Sequence, residues 1–130
     1  MSNAVLGYIH ETGAPEVNIP ERPFLLPGVR DASKQVAALL KRGAQAAMAG
    51  DTARVDRALH AAGIAATNAV KRKITVGPFA PLAPSTIKRR QRRTKGSSYR
   101  RSASSAADVK PLIDTGQLRQ SITYVVRSKK

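Results

Sequence analysis

Apolar and polar positions along the chain follow two different periods. From residue 31 to residue 73 the apolar and small residues recur every three or four positions: Val36, Leu39, Leu40, Gly43 and Ala47, then Val55, Leu59, Ala62, Ala66 and Val70. Side chains at that spacing share one face of a helix, so the pattern predicts two amphipathic helices, at about 32–49 and 52–73. Asp31 and Asp51 stand where N-caps belong, and Gly50 closes the first helix. Lys71, Arg72 and Lys73 end the second, where the helix dipole favours cations. Unbroken, that helix is about 33 Å long at roughly 1.5 Å per residue. Gly63, within Ala61-Ala62-Gly63-Ile64-Ala65-Ala66, costs roughly 1 kcal/mol against Ala in an exposed helix. It is an incidental glycine, a point where another backbone packs closely, such as a subunit contact, or a helix break.

Elsewhere the pattern is extended. Val5-Leu6-Gly7-Tyr8-Ile9-His10 combines β-branched and aromatic residues and stops at Thr12-Gly13-Ala14-Pro15, which predicts a strand. Residues 121–127 alternate Ile122, Tyr124 and Val126 against Thr123, Val125 and Arg127, which predicts a second, half-buried strand. The stretch 19–28 holds Pro20, Pro23 and Pro27 and reads as an extended Pro-rich loop, with Phe24, Leu25 and Leu26 pinning it to the core. Pro84 suits the first turn of a short third helix running through Ile87 into Arg90. Asp114 with Gln117 three positions on resembles a capping box for one more helical turn, and residues 128–130 form a tail. The expected architecture is α+β: two main helices packed on a small antiparallel sheet, with long Pro-rich and Arg-rich loops. At 130 residues the chain makes one domain with a modest core. Aromatic residues are only 4% of the chain and Trp is absent, so Ala, Val, Ile and Leu build that core, and help from neighbouring subunits is plausible.

Charge changes the picture more than composition does. The net charge is +15. Residues 1–56 hold six basic and six acidic residues, whereas residues 57–130 hold seventeen basic and two acidic ones. Such a field favours nucleic acid, an acidic protein surface or anionic lipid. With no Cys there is no disulfide, thiol nucleophile or thiolate metal site. The N-terminus lacks a basic segment followed by a long apolar core, and no run approaches the roughly 18 apolar residues of a membrane span, so a soluble chain made in a cytoplasm is expected.

The strongest chemical signal is the basic tract Lys88, Arg89, Arg90, Arg92, Arg93 and Lys95, with Arg100 and Arg101, in a loop spanning 88–108. Arginine pairs bidentately with phosphate or carboxylate, and several such contacts make affinity steeply salt-dependent. The loop faces DNA or an acidic neighbour, or else is a solvated surface that aids solubility. Only Tyr99 lies nearby, so there is no aromatic platform for reading single strands. His10, Glu11 and His60 lack a third ligand at usable spacing, so no metal site is expected. Turn and capping geometry account for Asp114, Thr115 and Gly116 without catalysis. Arg22, between prolines, is exposed if the loop is extended, as a subunit anchor or an ordinary loop charge.

Four segments in order carry a resemblance: Gly7-Tyr8-Ile9-His10-Glu11-Thr12-Gly13, Ile19-Pro20-Glu21-Arg22-Pro23-Phe24-Leu25, Pro81-Leu82-Ala83-Pro84-Ser85-Thr86-Ile87 and Pro111-Leu112-Ile113-Asp114-Thr115-Gly116-Gln117-Leu118. With the flanking chain, from Gly7 to Tyr124, these are similar to the tail-completion and virion-morphogenesis proteins of tailed bacteriophages. The resemblance implies an α+β neck component of the virion without enzymatic activity or cofactor. It is commonly six copies in a ring, joining the tail terminator and tail tube to the head connector, with genome DNA in the channel. It is assembled in the host cytoplasm. Many relatives carry a helical segment before the Gly-Tyr-Ile-His-like strand; here that strand begins almost at once. Under this reading Ile19, Arg22, Phe24 and Leu25 form a subunit-contact loop, the basic tract faces a partner or DNA, and Pro81, Leu82, Pro84, Leu112, Asp114, Thr115, Gly116 and Leu118 are structural. The rival reading, for which charge alone suffices, is a free-standing basic nucleic-acid-binding protein.

Overall fold

The computed structural model describes residues 2–95, 110–113 and 116–128. Among them the regular structure is helical, with no strand: α1 Asn3–Thr12, α2 Leu25–Asp31, α3 Ser33–Met48, α4 Thr52–Val76, α5 Pro84–Lys95 and α6 Gln117–Ser121, plus a 3-10 turn at Pro15–Val17. The expected antiparallel sheet is therefore absent from these residues, and α+β is corrected to an all-helical arrangement. The residues group into two compact units, 1–23 with 77–121 and 24–76 with 122–130.

In the first unit, the segment expected to be the first strand is α1. Its ends explain why. The Ser2 Oγ accepts from the Val5 N–H, and Gly13, at φ 74°, closes the helix with its N–H on the Ile9 carbonyl. Caps at both ends outweigh the β-branched content of so short a stretch. Asn3, Leu6, Gly7 and His10 lie on its more covered side while Val5 and Tyr8 are exposed, which is a helical period and not an alternating one. Gly13 then turns so tightly that an added Cβ would sit 2.9 Å from the Glu21 backbone nitrogen. Ala14 and Ile19 exchange both backbone hydrogen bonds across the 3-10 turn. α5 starts with Pro84, as predicted, but continues past Arg90 to Lys95, so the first part of the expected 88–108 loop is helix. α6 packs on α1, and Leu112 and Leu118 are both buried.

The second unit is a helical hairpin. α3 and α4 follow the predicted ranges closely, and α4 extends the predicted helix from Lys73 to Val76. The Arg54 N–H donates to Asp51 Oδ1, so Asp51 caps α4 as expected. Asp31 does not cap α3: it is the last residue of α2, and Ala32 occupies the cap position without a side-chain bond. The 19–28 loop is likewise corrected, because residues 25–28 are the first turn of α2. Pro27 is tolerated there since the first-turn N–H groups have no partner within a helix. Small residues set the spacing. A Cβ on Gly28 would come within 2.7 Å of the Val70 Cα, and one on Gly43 within 3.1 Å of the Ala58 Cβ. Phe24, Ala32, Ala46, Ala62, Ala69, Val70 and Ile74 form the buried set.

Residues 122–128 belong to this unit and carry no strand assignment. Tyr124 holds them: its ring lies over Gly63, where a Cβ would stand 2.3 Å from a ring carbon, and its hydroxyl is 3.0 Å from His60 Nδ1. Gly63 is thus neither incidental nor a break in the helix. It leaves room for an aromatic side chain of the same chain.

Candidate functional site

The site is built around two arginines of the first unit. Arg22 is only 4% exposed, which overturns its expected surface position. Its Nε donates to the Ala80 carbonyl at 2.7 Å and one terminal nitrogen to the Pro81 carbonyl at 2.8 Å, while its backbone N–H donates to the His10 carbonyl at 2.7 Å. The stretch it grips carries Pro78, Pro81 and Pro84, which lack N–H groups, so its carbonyls need donors from elsewhere. A planar guanidinium supplies two at once.

Arg90 does the same for residues 110–113. One of its terminal nitrogens donates to the Lys110 carbonyl at 2.9 Å and the Ile113 carbonyl at 3.2 Å, and the other to the Pro111 carbonyl at 3.3 Å. Sequence reasoning counted Arg90 among the partner-facing cations; the structure turns it inward. Together the two arginines and the α1–α6 contact draw residues from all four resemblance segments into one compact unit. His10 lies beside them. Burial first, then the Arg22 and Arg90 charges, lower its pKa, and its Nδ1 is buried with no hydrogen-bond partner among the described residues.

The rest of the basic tract divides by face. Thr86, Ile87, Arg90 and Gln91 are partly covered, while Lys88, Arg89 and Arg92 are exposed. Arg93 and Lys95 lie within α5, but their side chains, with Arg100, Arg101, Asp114 and Thr115, fall outside the described residues, and so does the expected Asp114–Gln117 capping box. Of the four residues assigned to a subunit-contact loop, Arg22 and Phe24 are buried, Ile19 is partly covered and Leu25 is exposed. Pro81 and Pro84 are exposed, and Leu82 is partly covered. Gly116, at φ 81°, introduces α6.

No family model, curated protein or solved structure matches the chain. Chemistry therefore has to be read from the side chains alone. A surface depression of 580 Å³ is lined by Thr12, Gly13, Pro15, Asn18, Ile19, Pro20 and Glu21. Among these lining residues Glu21 is the one titratable group, and a lone carboxylate makes no acid–base pair. Among the described residues no three His, Asp or Glu side chains are grouped to hold a metal ion, and no helix is long and apolar enough to cross a membrane. What the site offers is an arginine-tied unit that displays three exposed cations on α5.

Proposed function

We propose that the chain is a structural protein of a tailed-phage neck, a tail-completion protein whose copies form a ring between the head connector and the tail terminator. The observation that carries this reading is the junction just described. The four segments that resemble tail-completion proteins are separated by up to about a hundred residues, yet Arg22, Arg90 and the α1–α6 contact gather residues from each into a single unit.

Surface character supports an assembly role. Leu25, Leu26 and Val29 of α2 are all exposed, as are Leu40 and Ile64 on the hairpin. A lone domain gains by covering such side chains, and a neighbouring subunit is the natural cover in a ring. Among the described residues four of the nine buried hydrophobic side chains are Ala, so each copy buries little apolar area alone. Deleting the gene from the phage that encodes it should leave filled heads and finished tails that do not join, with joining restored by the gene supplied in trans. Infectious particles formed without the chain would rule the reading out.

A further inference from the structure

We propose that the outward face of α5 is a site for the phosphate backbone of duplex nucleic acid, read without regard to sequence. Lys88, Arg89 and Arg92 are exposed and, at about 100° per residue, fall within roughly 100° of the helix circumference. Arg90, on the opposite side, is tied to three carbonyls and fixes the helix to its unit. The three outward cations therefore stand on an anchored element, so the backbone needs no ordering when they meet a row of phosphates and the entropic cost is confined to their side-chain rotamers. No acidic residue occurs between Arg57 and Ala107, so neither α5 nor its flanking sequence supplies a carboxylate that would neutralise them.

The composition of the face selects among polyanions. Among the described residues its exposed positions are Pro84, Ser85, Lys88, Arg89 and Arg92, with no large apolar or aromatic side chain. A protein partner needs such anchors at the centre of an interface. Single strands need an aromatic stacking platform, and a membrane surface needs an apolar face to bury. A duplex needs neither: its backbone contacts are electrostatic and position the protein without reading bases. Within the neck reading that duplex is the genome passing the ring, but the binding itself does not depend on that reading.

The test uses the purified full chain and fluorescent duplexes of two unrelated sequences. Three phosphate contacts contribute about −2.7 to the slope of log affinity against log salt, a loss of roughly 40-fold between about 50 and 200 mM. The expected result is equal binding of both duplexes, with the Lys88→Ser, Arg89→Ser, Arg92→Ser variant shallower in slope by about 2.7 and unchanged in its circular-dichroism melting curve. Equal slopes for variant and parent would overturn the proposal. So would tighter binding to single strands, to poly-glutamate or to phosphatidylserine vesicles than to the duplexes. Because no virion component takes part, either outcome leaves the neck reading to be judged by its own gene deletion.

Discussion

Replacing Arg22 tests the packing of the first unit most severely. Hydrogen bonds from a charged donor contribute about 1.5–3 kcal/mol each, so the bonds to Ala80 and Pro81 together stabilise the unit by roughly 3–6 kcal/mol in gross terms. Against this stands the cost of burying a guanidinium that is 4% exposed, several kcal/mol that truncation recovers. Arg22→Ala should therefore lose about 1–3 kcal/mol net, mostly because the carbonyl of the partly covered Ala80 is left without its donor, whereas that of the exposed Pro81 can turn to water. Arg22→Lys should do no better. It keeps the buried charge, but an ammonium has no fork to meet both carbonyls. Hydrogen exchange read by mass spectrometry resolves the two units, so faster exchange should be confined to α1, α5 and α6, with α3 and α4 unchanged. If both variants shift protection by less than about 0.5 kcal/mol, as an ordinary surface arginine would, the junction has been misjudged.

Three further outcomes follow from particular contacts. Gly63→Ala should cost about 1–3 kcal/mol by displacing the Tyr124 ring, yet in a Tyr124→Ala background it should stabilise α4 by up to roughly 1 kcal/mol; a double-mutant cycle without that change of sign would refute the contact. Gly28→Ala, which drives a Cβ against the Val70 backbone, should lower the melting temperature and loosen α2 from α4, as monitored by exchange at α2 amides; an unchanged α2 would show that the helices are not so closely packed. His10 titrates below its ordinary value of 6.5, so the unfolded chain takes up its proton first as pH falls. Its stabilising contribution is complete above pH 6.5 and declines as pH drops from there toward the lowered folded value. Urea titrations at a series of pH values should show that decline in the parent and a flatter profile in His10→Gln.

How much of this was legible depended on how local the deciding contact is. The extents of α3 and α4 could be read because their stripes repeat over several turns, and the Asp51 cap and Gly50 stop lie beside them, but Leu40, Ala47 and Leu59 of the expected stripes are exposed. α1 was misread because its composition is β-like, while Ser2 and Gly13, a cap at each end, decide the matter. Ser2, three residues before Val5, was the available signal. The C-terminal stretch shows a different failure. Its alternation from Ile122 to Val126 fits an extended segment, but alternation cannot say whether a partner strand exists, and among the described residues none pairs with it.

The arginines lay beyond reach for a physical reason. Arg22 meets Ala80 across 58 residues, and Arg90 meets Lys110 across 20. A basic tract looks uniform in sequence because charge carries no information about direction. Only helical phase separates Arg90 from Lys88, Arg89 and Arg92, and that phase could be assigned once α5 was known to continue to Lys95. A hint was present in the prolines at 78, 81, 84 and 111, since backbone near proline is short of donors and long on carbonyls.

The claim on which the account turns is that this chain forms a ring in a phage neck. Electron microscopy of purified particles, with the density between head and tail tube resolved well enough to trace the α3–α4 hairpin, tests it most directly. A closed ring of copies at that level, each showing the hairpin and the arginine-tied unit, is the predicted result. A neck fully accounted for by other proteins, in particles that lack this chain by mass spectrometry, would contradict it.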